Sequence, residues 1–190
     1  MKTFYSSDYH LGHWNIARYC NRPFKTLEDM DEAIIRNHNS RVKPDDLLYH
    51  IGDFAFRNSP GGKEGEGGLT KAQEYEKRLN GKIIFVRGNH DRGNSTKTII
   101  ESIHVYTHTK NVLLIHRIDQ LCYDDVKKYD LVLCGHVHNN WAHTFIYKDM
   151  SRKDRVPVIN VGVDVHKFYP ITMEEILHEY SQMIKETRHE

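Results

Sequence analysis

An α/β fold in a single domain is predicted by three observations. Short apolar runs at 47–51, 82–86, 111–115 and 131–134 alternate with segments of helical periodicity, the pattern of a sheet with helices packed on it. Each run leads into glycine or into a carboxylate, amide or imidazole side chain, and in open α/β sheets ligands are met just beyond the carboxyl ends of the strands. The length, 190 residues, suits one domain with a sizeable core.

Residues 2–6 alternate and are rich in aromatic side chains, which predicts a first strand, with Asp8 and His10 just beyond it. Residues two apart on an extended segment share a face, so Asp8 and His10 are expected on one side in chelating geometry. Taken alone, such a step is also read as a turn with two solvated polar residues. Thr26-Leu27-Glu28-Asp29 has a capping arrangement, and Met30, Ala33, Ile34 and Asn37 continue at helical spacing to Val42, before Pro44 stops a scaffold helix. The run at 47–51 is a second buried strand, ending in Gly52-Asp53.

Residues 58–68 contain Gly61, Gly62, Gly65, Gly67 and Gly68, which predicts a mobile surface loop near the mouth of the site, or one of mere length variation. No Gly-Lys-Ser/Thr follows, so it is not a P-loop. Residues 70–79 predict a helix capped by Asn80-Gly81, and 82–86 the strand into Gly88-Asn89-His90-Asp91. Asn89 offers a carbonyl oxygen and His90 an imidazole, although a Gly-Asn step is also turn chemistry. A short helix is predicted at 96–102. The strand at 111–115 presents His116, and that at 131–134 leads into Gly135-His136-Val137-His138, repeating the Asp8-x-His10 spacing. Two further strands, 141–148 and 156–163, flank a charged turn at 149–154. Thr172-Met173-Glu174-Glu175 is a capping box opening a C-terminal helix through Ile176, Leu177, Tyr180 and Ile184.

Lys and Arg number 27 against 26 Asp and Glu, a net charge of +1 that gives no long-range pull toward a polyanion. Cys20, Cys122 and Cys134 are odd in number, widely spaced and without a C-x-x-C pair, which suggests neither a disulfide framework nor a thiolate zinc site and suits a reducing, cytoplasmic compartment. No run approaches the ~20 apolar residues that span a bilayer, so no membrane partner is expected. Among 14 histidines, His10, His13, His50, His90, His116, His136 and His138 sit beside strand-like runs or glycine, whereas His38, His178 and His189 lie on predicted helices as solvent-facing or satisfied bystanders.

Five strand ends therefore carry, in order, Asp8 with His10, Asp53, Asn89 with His90, His116, and His136 with His138. The ordered set Asp-x-His, Gly-Asp, Gly-Asn-His-Asp, His and Gly-His-x-His resembles the calcineurin-like metallophosphoesterase family. Within it, Ser7-Asp8-Tyr9-His10-Leu11-Gly12-His13 and Asn160-Val161-Gly162-Val163-Asp164 are similar to small single-domain phosphoesterases of bacteria and phages. The resemblance implies a four-layer αββα sandwich, two mixed β-sheets flanked by helices in one domain over 1–190, with a dinuclear metal site at the C-terminal strand ends. By the family pattern Asp8, His10 and His138 hold one ion, Asn89, His116 and His136 the other, and Asp53 bridges them. His90 is then catalytic, standing beside the leaving oxygen as general acid or hydrogen-bond donor. Asp91 either orients it or points elsewhere.

The implied cofactors are two divalent metal ions. Mixed carboxylate, amide and imidazole donors suit Mn²⁺, Fe²⁺, Ni²⁺ or Zn²⁺ over Ca²⁺, with Mn²⁺ foremost. Two such ions ~3.5–4 Å apart hold a bridging hydroxide and stabilise both oxygens of an in-line displacement at phosphorus. Two carboxylates against two divalent ions leave a cationic centre that favours a phosphate. His13, Arg57, Arg92 and Arg117 lie near the motifs as candidate substrate contacts, each also readable as an ordinary surface residue. Gly52-Asp53 is followed by Phe54-Ala55-Phe56-Arg57, unlike the family's protein phosphatases, so a small phosphate ester is the expected partner. The implied activity is hydrolysis of phosphodiesters, with phosphomonoesters alongside. The alternatives are a non-catalytic binding scaffold, a class that commonly loses ligands retained here, and a nuclease, against which the weak net charge counts.

Overall fold

The computed structural model of the protein describes residues 1–58, 63, 65–91, 100–151 and 154–186. Arg92, most of the helix predicted at 96–102, part of the glycine-rich loop, residues 152–153 of the charged turn and His189 lie outside the described residues.

In chain order the elements are β1 (Thr3–Ser6), α1 (Trp14–Tyr19), α2 (Leu27–Arg41), β2 (Leu47–Ile51), α3 (Ala72–Glu76), β3 (Lys82–Val86), β4 (Ser102–Thr107) and β5 (Lys110–Ile115). They continue with α4 (Tyr123–Val126), β6 (Leu131–Cys134), β7 (His143–Tyr147), β8 (Arg155–Asn160), β9 (Ile171–Thr172) and α5 (Met173–Glu186). The strands form two mixed sheets, one ordered β3-β2-β1-β9 and the other β4-β5-β6-β8-β7. In the first, β1, β2 and β3 run parallel and β9 antiparallel; in the second, β5, β6 and β8 run parallel between antiparallel β4 and β7. Parallel strands deliver their C-termini to one edge of a sheet, so both sheets bring strand-end loops together.

Burial explains the layers. Alternate residues of a strand face opposite sides. Val112 and Leu114 of β5 join Leu131, Leu133 and Ile159 in a core shared with Tyr5, Ile51 and Val86 of the other sheet. Leu113, Val132 and Val158 turn outward to cover Val126 of α4 and Tyr129. On the far face of the first sheet, Met30, Ile34 and Ile35 of α2 pack with Ile16 of α1, Tyr75 of α3, Tyr9 and Phe54. The result is helix, sheet, sheet, helix, with α5 adding Met173, Ile176 and Met183 to the core between the sheets. The Thr26 hydroxyl accepts from the Asp29 N–H at 3.0 Å, and Glu175 and Thr172 bond reciprocally at the start of α5. Both predicted N-terminal caps are formed. Among the described residues no helix is long and apolar enough to cross a membrane.

Several boundaries differ from expectation. The helix predicted at 70–79 contracts to the five residues of α3, and Ser102, placed in a helix by the sequence, opens the edge strand β4. The strand predicted at 141–148 is trimmed to β7, and that predicted at 156–163 becomes β8, which starts one residue earlier and ends at Asn160. Beyond Asn160 the chain leaves the second sheet to bridge to the first: Val161 N–H donates to Cys134 and Val163 N–H to Ser7, where Ser7 and Gly162 pair.

Candidate metal centre

The backbone aims the site. Asp8, His10, Asp53, His136 and His138 have φ of 59°, 50°, 56°, 73° and 49°, in the left-handed region. The extended geometry expected for Asp8-x-His10 and its repeat at His136-x-His138 is therefore corrected. A non-glycine residue in this region costs roughly 1–3 kcal/mol and persists only where its surroundings hold it. Here backbone bonds do so: Asp8 N–H donates to Gly52 and His10 N–H to Asp53, each at 3.0 Å, lacing the β1 loop to the β2 loop. A Cβ at Gly135 would overlap Ser7 Oγ and Asp8 Oδ2, and one at Gly88 would overlap Asp53. Glycine at these two positions lets the loops close on the carboxylates.

The side chains gather into two neighbouring groups. Donor atoms of Asp8, His10 and His138 all lie within 4.8 Å of one another, as do those of Asp53, His116 and His136. Asn89 Oδ1 is 3.2 Å from His116 Nε2. Asp53 Oδ2 stands between the groups, 3.5 Å from His10 Nε2 and 3.3 Å from His116 Nε2. Asp8, His10, Asp53 and His116 are buried. Among the described residues, His10 Nε2 and Asp53 Oδ2 are buried without a hydrogen-bond partner. Leaving such atoms unpaired is costly, so a carboxylate oxygen and an imidazole nitrogen aimed into one space fit a cation. The mix of donors is that of a borderline divalent ion.

The electrostatics agree. Burial opposes the charged form of both His116 and His138, yet the carboxylate of Asp53 beside the first and of Asp164 beside the second push them up to about 9 and about 10. Burial also works against the Asp53 charge, but His116 and His10 hold its carboxyl well below the usual range. The carboxylates draw positive charge into the centre, as a bound cation would supply.

Of the two orientations open to Asp91, the structure shows the one directed away from the His90 ring. Its carboxylate accepts from the N–H groups of Gly88 at 2.7 Å, Asp53 at 2.9 Å and Phe54 at 3.1 Å, tying the β2 loop to the β3 loop. The His90 N–H donates to Asp53 Oδ1 at 2.8 Å, and its exposed ring lies 5.4 Å from the His10 ring and 5.9 Å from that of His13. His13 is buried against Phe56, ring centroids 4.4 Å apart. The described part of the glycine-rich loop flanks it: Gly68 N–H donates to Gly12 and Trp14 N–H to Glu66. Arg57 is exposed and donates to the Leu69 carbonyl at 2.9 Å. Arg117 pairs with Asp119 and lines a polar cavity of about 180 Å³ with Arg87, Asn89, Glu101 and His116.

Sequence reasoning assigned nothing to Arg22, nor any role to Asp164. The Arg22 guanidinium grips both carboxylate oxygens of Asp164, at 2.8 and 2.9 Å, and Asp164 Oδ2 is 2.9 Å from His138 Nδ1. A separation of 142 residues left no sequence signal for the pair.

A family model described as the calcineurin-like phosphoesterase superfamily domain matches residues 1–170. An uncharacterised protein of Methanocaldococcus jannaschii is 33% identical over 181 residues, covering 93% of this chain and 89% of that protein. The crystal structure of a protein of unknown function from Aquifex aeolicus superposes with a TM-score of 0.64 at 26% identity, over 92% of this chain and 96% of that one. A structure described as a novel archaeal phosphodiesterase gives a TM-score of 0.42 at 22% identity, over 85% of this chain and 84% of that one.

Proposed function

The chain belongs to the calcineurin-like phosphoesterase superfamily, a metal-dependent family, and from that premise we propose that it hydrolyses small phosphodiesters, with phosphomonoesters as lesser substrates. The observation that carries the reading is Asp53 Oδ2, buried, without a hydrogen-bond partner among the described residues, and within 3.5 Å of an imidazole nitrogen from each ligand group. A carboxylate so placed is suited to bridge two cations. Asp8, His10 and His138 would hold one, and Asn89, His116 and His136 the other, with Mn²⁺ the expected ion. Two divalent ions supply an acidified water, a polarised phosphoryl oxygen and charge for the attacking and leaving oxygens.

The chain's own residues do the rest. His90, exposed at the mouth and 5.4 Å from the His10 ring, is placed to donate a hydrogen bond or a proton to the leaving oxygen, a role worth ~10²–10⁴ in rate. His13, on the same side, offers a second imidazole. Arg117, paired with Asp119, and Arg87, paired with Glu101 at 2.7 Å, line a cavity beside Asn89 and His116 whose 180 Å³ suits one small polar group of a substrate, which would exchange for those carboxylates. A net charge of +1 supports a small ester over nucleic acid.

The test is hydrolysis of bis-p-nitrophenyl phosphate beside p-nitrophenyl phosphate, by chelator-stripped protein with Mn²⁺ added back. The expected result is metal-restored cleavage, faster for the diester. Asp53→Ala should lose both Mn²⁺ and activity, whereas His90→Ala should keep Mn²⁺ and lose ~10²–10⁴ in turnover. Undiminished hydrolysis by Asp53→Ala overturns the shared-carboxylate assignment. No cleavage of either ester by protein loaded with two ions overturns the enzymatic reading in favour of a binding scaffold.

A further inference from the structure

Arg22 and Asp164 form a buried strut beneath one half of the centre, and their side chains are 0% and 2% exposed. We infer that Asp164, held by Arg22, is the positioning residue for the ion site of Asp8, His10 and His138, and makes it the tighter of the two sites; this rests on the metal-centre reading above.

The argument begins with the guanidinium. Arginine has five N–H donors in a rigid fork. Those of Arg22 reach both oxygens of Asp164, the carbonyls of Asp8 at 2.7 Å and Tyr9 at 3.0 Å, and the Met30 sulfur at 3.6 Å. One side chain therefore holds the left-handed Asp8 segment and the carboxylate behind His138 together. That carboxylate can only accept, so at 2.9 Å it keeps the proton of His138 on Nδ1 and leaves the Nε2 lone pair for the group shared with Asp8 and His10. The donor atoms of Cys20, His138 and Asp164 also lie within 4.8 Å of one another, but both Asp164 oxygens are already taken by Arg22 and His138. This second cluster is thus a closed hydrogen-bond network and not an ion site.

The other half of the centre is supported differently. His116 Nδ1 lies 2.8 Å from the Ile51 carbonyl, a neutral acceptor. A carboxylate behind a ligating imidazole raises its basicity as well as fixing its tautomer, so the two sites are unequal by construction. Because the Asp164 charge is balanced by Arg22, the gain comes without adding net charge to the interior.

The experiment is calorimetric titration of Mn²⁺ into the chelator-stripped full chain. Wild type should bind in two unequal steps. In Asp164→Asn, Arg22 still needs an acceptor and takes the amide oxygen; the amide NH₂ then faces His138 Nδ1 and drives the ring proton to Nε2. The tighter step should weaken by about 10- to 100-fold while the other is unchanged. His138→Ala should weaken that same step, and adding Asp164→Asn to it should weaken it no further, because the carboxylate acts through the imidazole. Arg22→Lys, which keeps the charge balance but loses the fork, should weaken the same step by less, and decides the matter if Asp164→Asn does not fold by far-UV circular dichroism. Unchanged steps in a folded Asp164→Asn, or an equal loss in the His138→Ala background, overturn the inference alone. A wild type that binds no Mn²⁺ overturns the metal-centre reading and this inference with it.

Discussion

Replacing Asp91 separates two roles that an acidic neighbour of His90 could play. The carboxylate is buried and accepts three backbone N–H groups, with Oδ2 serving Gly88 and Asp53 and Oδ1 serving Phe54. Each buried donor left unpaired costs about 1–3 kcal/mol, so Asp91→Ala forfeits about 3–9 kcal/mol before relaxation. Relief works the other way, because burial, with the Asp53 charge nearby, raises the Asp91 pKa above the ordinary carboxylate value. Relaxation and that relief bring the expected loss to the lower end, about 3 kcal/mol. Asp91→Asn keeps one acceptor for Gly88 and Asp53 but turns an NH₂ toward the Phe54 N–H, so about 1–3 kcal/mol is expected. Urea unfolding of chelator-stripped protein at pH 7 reads these values, and a Mn²⁺ titration should show weakened binding in both variants because the Asp53 loop is released. If instead turnover fell while unfolding free energy stayed within about 0.5 kcal/mol of wild type and Mn²⁺ affinity held, Asp91 would be acting on His90 and the loop-tie argument would be wrong.

Acid should destabilise the metal-free protein through two buried neutral imidazoles. Burial lowers His38, which is bonded to Tyr9 and Asn80, to about 4, and His50, packed among Tyr9, Phe54 and Phe85, to about 3. Both lie below the ordinary 6.5, so the unfolded chain takes up these protons first; the contribution is full above pH 6.5 and is lost as pH falls through 4 and then 3. The depressions correspond to about 3 and about 5 kcal/mol. Urea midpoints measured from pH 7 to pH 4 should fall, with a flatter profile for His50→Leu; an equally steep profile in that variant would remove His50 from the account. Gly135→Ala should lower unfolding free energy by about 1–3 kcal/mol and weaken Mn²⁺ binding, since its Cβ meets Ser7 and the Asp8 carboxylate. Wild-type values for both would show that the β6 loop yields freely.

The elements that escaped sequence reading lack local signals. Helix α1 has no side-chain cap and no acidic residue in its first turn. Helix α4 is four residues long and capped by Cys122, an unusual capping residue, while β9 has two residues, too few to show a period. Strand β4 does alternate, as Ser-Ile-His-Val-Tyr-Thr, but its first residue had been drawn into the helix predicted before it. His38 illustrates what a helical position leaves open: the sequence allows it to face solvent or to be satisfied inside, and the structure decides for the second, burying it fully with both ring nitrogens engaged.

By itself the sequence determined the alternation of strand and helix and the positions at which carboxylate, amide and imidazole groups leave the strand ends. Those are local properties, since a buried parallel strand must be a short apolar run and the polar residue that follows must stand at its C-terminal edge. Only the tertiary structure decided how those groups are held. The left-handed turns at Asp8, His10, Asp53, His136 and His138 depend on loops laced together from distant segments, and the bonds from Asp91 to the Asp53 and Phe54 N–H groups and along the Arg22–Asp164–His138 line join residues 26 to 142 apart. Hydrogen bonds over such distances leave no periodicity in a chain; they exist only when two sheets have packed and brought their strand ends to one edge.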